Sequence, residues 1–333
     1  MRDATTRRDA VLSIVALGLG AASSRISAQT RQPRPARIAI LDEASETTRQ
    51  QLWAAFRKHL RDLGYVEGRS VLIETRFAEG NPDRVPVLVA EAIANKPDLL
   101  VVVTTTVAVA AKQQTSTIPI VALGPADPVK SGLVLSLARP GGNLTGLAPN
   151  QGELAGKWLE LLRALRPNAK AFVYLTDMAN PGEMLVYRDL EQRARSLSLQ
   201  SQVMNGIDPA QVDRAFDSMQ ATRTDAIVVA TTASLLPQRR QIVDRAARLR
   251  MPAIYARREY PEAGGLISYG ADSQALFERA ADYVNRILRG SPPSELPFEM
   301  ASTFKLVLNL RTSRELGIVI PQTVYIRADE VIE

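Results

Sequence analysis

One phrase occurs twice in this chain and narrows what it can fold into more than any single motif. At Asp98-Leu99-Leu100-Val101-Val102-Val103-Thr104-Thr105 a carboxylate leads into a branched apolar run that ends in paired threonines, and a polar helical stretch and Ile118-Pro119-Ile120-Val121 follow. The phrase returns at Asp225-Ala226-Ile227-Val228-Val229-Ala230-Thr231-Thr232, with a charged helical stretch and Met251-Pro252-Ala253-Ile254-Tyr255 after it. A continuous Val/Ile/Leu run bounded by turn residues is the pattern of a strand buried on both faces, and a helix between two such runs makes a parallel βαβ unit. Two α/β halves of like design are expected, each a doubly wound, mainly parallel sheet flanked by helices.

In an open parallel sheet, ligands bind beyond the carboxyl ends of the strands, where the N–H groups of the next helix also point. Thr104, Thr105 and Thr106 stand at that edge in the first half, and Thr231 and Thr232 in the second. Each threonine has two readings: a helix N-cap, or a hydroxyl that helps the helix N–H groups hold a ligand carboxylate. If the two edges face each other, the result is a two-lobed clamp for a small polar solute. Asp42, in the loop after the first strand, is a candidate to touch the ligand, and Asp127 and Asp177 lie in later end loops; either of the latter two is the candidate counter-ion for a ligand ammonium. Tyr255, Arg258, Glu259 and Tyr269 cluster after the last strands, where the tyrosines could line a cleft and Arg258 could pair with Glu259 instead of with ligand.

At 333 residues and 46% hydrophobic content the chain can build two ordinary domains, each with its own core. Its formal charge is +6, but residues 1–28 hold four arginines against two aspartates, which leaves +4 for the rest. No basic stripe with interleaved aromatics survives, so a nucleic-acid partner is not expected. Cysteine is absent, which removes disulfides, thiolate catalysis, zinc-thiolate sites and the acylated cysteine of a lipoprotein. The single histidine, His59, stands among Arg57, Lys58 and Arg61 and reads as a solvated side chain. Ser-His-Asp catalysis and histidine-rich metal sites therefore lack their raw material, and no spacing singles out a carboxylate pair. No catalytic residue, metal or cofactor is expected.

The N-terminus reads as an address. A charged opening, an apolar segment over 10–22 too short to span a bilayer comfortably, and the small residues Ser27-Ala28 before Gln29 describe an export signal over 1–28, followed by an extended leader over 29–36. Arg7-Arg8 with Val11-Leu12 resembles a twin-arginine signal, although Asp9-Ala10 stands where an aromatic is usual; the ordinary secretory route is the alternative. A periplasmic location without a lipid anchor is expected.

Several segments together carry a specific resemblance: Leu63-Gly64-Tyr65-Val66-Glu67-Gly68, Ala78-Glu79-Gly80-Asn81-Pro82-Asp83-Arg84, Ser136-Leu137-Ala138-Arg139-Pro140-Gly141-Gly142-Asn143, Gly264-Gly265-Leu266-Ile267-Ser268-Tyr269-Gly270 and Arg327-Ala328-Asp329-Glu330-Val331-Ile332. As a set they resemble the family of ABC transporter substrate-binding proteins that includes the tryptophan-binding receptors. The resemblance implies a type I periplasmic-binding fold, with hinge crossings near 145–149, 266–270 and 299–304. One lobe would then be 37–146 with 271–297, and the other 147–267 with 300–333. It also implies a receptor, expected to be a monomer, that captures an amino acid or similar carboxylate between its lobes and hands it to a membrane permease. A sensory domain of the same fold is the alternative; a secreted α/β hydrolase is a third, and lacks a catalytic set.

Overall fold

A computed structural model describes residues 34–333; the export signal over 1–28 and the leader as far as 33 lie outside the described residues. Two sheets form the frame. The first contains β1 (Ala36–Asp42), β2 (Val71–Phe77), β3 (Leu99–Val103), β4 (Ile120–Leu123) and β5 (Leu144–Ala148). The second contains β6 (Ala171–Thr176), β7 (Gln200–Asn205), β8 (Ala226–Val229), β9 (Ala253–Tyr255) and β10 (Ile267–Ala271). Three late strands complete them: β11 (Glu299–Met300) joins the first, and β12 (Phe304–Asn309) and β13 (Glu330–Ile332) join the second. Spatial order is β11-β5-β4-β3-β1-β2 in one and β13-β12-β10-β9-β8-β6-β7 in the other. Every pair is parallel except β10 with β12. This is the two-lobed α/β architecture expected from the repeated phrase.

Helices cover both faces of each sheet. They are α1 (Glu46–Asp62), α2 (Val85–Ala94), α3 (Thr105–Gln114), α4 (Gln151–Leu165), α5 (Pro181–Ser196), α6 (Pro209–Ala221), α7 (Arg239–Arg248), the short α8 (Glu259–Glu262) and α9 (Ser273–Leu288). Strand residues alternate between faces, so Ile38 and Ile40 of β1 pack with Phe56 and Leu60 of α1 and Val284 of α9, while Ala39 and Leu41 pack with Val89 of α2 and Ala108 of α3. In the second sheet Phe172 and Tyr174 meet Trp158 and Leu190 of α4 and α5, and Val173 and Leu175 meet Phe216 and Ile242 of α6 and α7. Burial on both faces is why these strands carry unbroken apolar runs.

The chain passes between the sheets three times: after β5, between β10 and α9, and between β11 and β12. Leu147 still pairs with Leu123 and Ala148 with Met300, so the first passage follows Ala148, two residues beyond the expected edge at 146. The passages brace one another: Ala301 N–H donates to the Ala148 carbonyl at 2.7 Å and Asp272 N–H to the Thr303 carbonyl at 2.9 Å. Helix α9 follows a strand of the second sheet yet packs on α1 and the first. His59 belongs to that packing. Its Nε2 lies 3.0 Å from Asp282 Oδ1 on α9, so the lone histidine joins two helices and is not merely solvated as its basic neighbours suggested.

Candidate functional site

The carboxyl ends of β3, β4 and β8 open on a cavity of about 90 Å³, several times the ~10–15 Å³ that admits one water. Thr104, Thr105, Thr231 and Thr232 all stand on its wall, so the two repeated phrases meet across one space. None of them caps a helix through its side chain. Thr104 occupies the N-cap position of α3 without a capping hydrogen bond; its hydroxyl donates instead to Glu43 Oε2 at 2.5 Å. Its backbone sits at φ 84°, ψ 162°, a region that a β-branched residue occupies only under strain. Thr105 Oγ1 accepts from Ala126 N at 2.9 Å, Thr231 Oγ1 donates to Glu183 Oε1 at 3.1 Å, and the Thr232 hydroxyl bonds that of Ser234 at 3.0 Å.

The charged groups on the wall are ones that motif reading passed over. Glu183, in the first turn of α5, is 4% exposed. Its Oε2 accepts from Tyr174 at 2.6 Å and Thr176 at 3.2 Å, which with Thr231 makes three hydroxyl donors and no basic partner among the described residues. Burial raises its pKa above the ordinary glutamate value, while the hydroxyls work against that shift. Arg49 of α1 is also buried, with Nη1 3.3 Å from Asp42 Oδ1 and a buried Nε that has no partner. Burial pulls its pKa down and Asp42 opposes the change. Arg257, after β9, bonds Glu259 through Nε at 3.2 Å; burial works against its charge, but Glu259 outweighs it and the net direction is upward. Gln151, at the start of α4, presents a buried Oε1 without a donor. One buried carboxylate and two guanidiniums therefore border a single space.

The other expected site residues are engaged elsewhere. Asp42 stands behind Arg49, accepting from Ala44 N at 2.9 Å and Trp53 Nε1 at 3.0 Å. Asp177 is buried and bonds Ser234 Oγ at 3.1 Å and Ala179 N at 3.0 Å. Asp127 turns back on Lys130, 3.0 Å from its Nζ, so Glu183 and neither aspartate faces the cavity as a free carboxylate. Thr106 lies one residue into α3, off the wall. Tyr255 is stacked on Tyr260 with ring centres 4.7 Å apart and is buried in the core; Tyr269 is stacked on Phe304 at 5.7 Å and is half-buried at the edge of the core, and neither lines this cavity. Arg258 is exposed and pairs with Glu262 at 2.9 Å and Glu330 at 3.3 Å. The pairing with Glu259 belongs to Arg257, one residue earlier.

The model of the ABC transporter substrate binding protein family matches residues 37–332. The chain belongs to this family. It is a substrate-binding protein and no enzyme, and its similarity to other binding proteins runs the length of the two lobes. The tyrosine-binding protein of Clostridioides difficile (strain R20291) is 25% identical over 316 residues, covering 93% of this chain and 90% of that one. A crystal structure of an ABC domain in complex with L-Trp from Streptococcus pneumonia superposes with a TM-score of 0.81 at 27% identity, covering 90% of this chain and all (100%) of that one. A conserved domain protein from Vibrio cholerae gives a TM-score of 0.83 at 26% identity, over 90% and 100% of the two chains. Among the described residues of this substrate-binding protein, no helix is long and apolar enough to cross a membrane, and no group of three or more His, Asp or Glu is placed to hold a metal ion.

Proposed function

We propose that this substrate-binding protein is the exported receptor of an ABC importer, that its ligand is an α-amino acid, and that binding draws the lobes together around it. The observation that carries the reading is Glu183: a buried carboxylate on the cavity wall, held by three hydroxyls and, among the described residues, paired with no cation. A ligand ammonium would meet that charge, and Arg49 and Arg257 would take the carboxylate through charge-assisted hydrogen bonds. The L-Trp complex and the tyrosine-binding relative support the same class of ligand. Closure follows from a ligand that touches both lobes and so binds the shut form better than the open one. The closed receptor, a monomer in the periplasm with its signal removed before Gln29, would then present the amino acid to a membrane permease.

A melting series with the common L-amino acids and, as controls, simple organic acids and amines tests this. A ligand present at 100 times its Kd adds about 2.7 kcal/mol to stability, enough to move the melting temperature by several degrees. Shifts by one or more amino acids, with none from the acids or amines that carry half of the zwitterion, are expected. A series in which no amino acid shifts the transition would overturn the reading.

A further inference from the structure

The internal repeat extends to the first loop of each lobe and gives the cleft two equivalent seams. Asp42-Glu43-Ala44-Ser45 after β1 matches Asp177-Met178-Ala179-Asn180 after β6. Oδ1 of each aspartate accepts from the backbone N–H two residues on, at 2.9 and 3.0 Å, and the side chains of Ser45 and Asn180 cap α1 and α5. Thr47 therefore stands in α1 where Gly182 stands in α5. The two seams differ. At one, α5 packs against α3 of the first lobe, and a Cβ on Gly182 would lie only 3.0 Å from the Cβ atoms of Thr105 and Ala126. At the other, Thr47 and Gln51 of α1 face Arg257, Glu259 and Glu262 of the second lobe across a groove of about 630 Å³.

The groove is continuous with the cavity, because Arg49, Leu52, Ala256, Arg257, Ala271 and Ser273 border both. Arg49 comes from the first lobe and Arg257 from the second, and each is tied back within its own lobe, to Asp42 at 3.3 Å and to Glu259 at 3.2 Å. Among the described residues, no hydrogen bond or ion pair runs from α1 to the segment 256–262. Two cations facing each other repel, so this boundary is lined by groups that do not hold it shut. We infer that the groove is a side portal: with the lobes closed along the seam between α3 and α5, a small solute still passes between cavity and solvent through the other seam, and Arg49 and Arg257 are the two leaves of its gate. Side chains turn orders of magnitude faster than lobes swing on a hinge, so exchange by this route does not wait for the lobes to part. The inference goes beyond the amino-acid reading and holds for any solute that fits the cavity.

The absence of cysteine from the chain allows a direct test. Thr105→Cys with Gly182→Cys places two thiols across the tight seam, and a shift of about 0.5–1 Å brings their Cβ atoms to the separation that a disulfide spans. Gln151→Cys, on the wall of the cavity but not of the groove, supplies a third thiol, and methyl methanethiosulfonate, small and uncharged, is the probe. Once peptide mapping has shown the bond between 105 and 182, position 151 of the stapled chain should still be modified. Thr47→Trp with Gln51→Trp, four residues apart on one face of α1, should slow that modification about tenfold, the effect of about 1.4 kcal/mol on a barrier. Pro181→Trp, the same kind of bulk beside the stapled seam, should leave the rate unchanged, and Arg257→Ala should raise it by removing one leaf of the gate. A staple that abolishes modification at 151 would overturn the inference, as would equal rates with and without the two tryptophans. A rate that follows the melting temperature across these variants, and not the bulk in the groove, would assign the modification to unfolding and overturn it as well.

Discussion

Burial holds the Glu183 carboxyl above the usual glutamate range, Asp177 pushes it the same way, and the hydroxyls of Tyr174, Thr231 and Thr176 pull it back. In the unfolded chain the group titrates normally, so the cost of its buried charge is absent at low pH and grows as pH rises through the folded pKa. Mild acid should therefore stabilise the empty protein through Glu183. The same proton removes the charge that a ligand ammonium would meet, so affinity should fall over the interval in which this contribution to stability rises. Titrations and melts from neutral to mildly acid pH, on the native protein and Glu183→Gln, separate this group from Glu43, whose pKa burial also raises. Glu183→Gln should bind more weakly at neutral pH by about 2–5 kcal/mol, the usual cost of losing one partner of a buried charge pair, and its affinity should respond less to acid. Equal pH responses in the two proteins would take the ammonium away from Glu183.

At the scale of elements, the start of α5 meets the start of α3. Gly182 has no special backbone angle, yet a Cβ there would collide with Thr105 Oγ1 and come within 3.0 Å of Ala126 Cβ on the other lobe. Glycine in a helix costs roughly 0.5–1 kcal/mol relative to alanine, so its use here points to the contact between lobes. Gly182→Ala should leave the empty protein as stable or slightly more so, weaken ligand binding at least tenfold, and keep the radius of gyration with ligand close to that without it. Unchanged affinity in this variant would show that the two helix starts need not touch. The strands and helices themselves were legible in the sequence, because two-faced burial writes continuous apolar runs and because Gly64, Asn81-Pro82 and Asn180-Pro181 mark helix ends. Strands β11 and β13 were not, since two or three residues are too short to hold a pattern. The threonines on the cavity wall were legible from their place at strand ends. Glu183 was hidden because an acidic residue in a first helical turn reads as ordinary dipole compensation, and Gln151 because it opens a helix among polar neighbours. Arg49 did leave a signal: a cation in the first turn of α1 is disfavoured by the helix dipole, and the helix departs from regular geometry at that residue, φ −121°, ψ 18°.

For the whole molecule, the late position of α9 sets an order on assembly. The first sheet's strands are complete by Ala148 except for β11, but the face formed by Ile38, Ile40, Val101 and Val121 is closed by Phe277, Ala281 and Val284 of α9, which the ribosome reaches only after the entire run from β6 to β10. A chain that ends at Gly270 thus holds a sheet that lacks β11 and, on one face, the helix that packs beside α1, the kind of surface that draws chaperones or other chains. A fragment covering 34–270 should bind a hydrophobic dye strongly and aggregate, and supplying residues 271–333 in trans should restore solubility. The two lobes, although each has its own core, are in this sense interdependent: the first cannot be sealed until the chain has run through β6 to β10 and returned in α9.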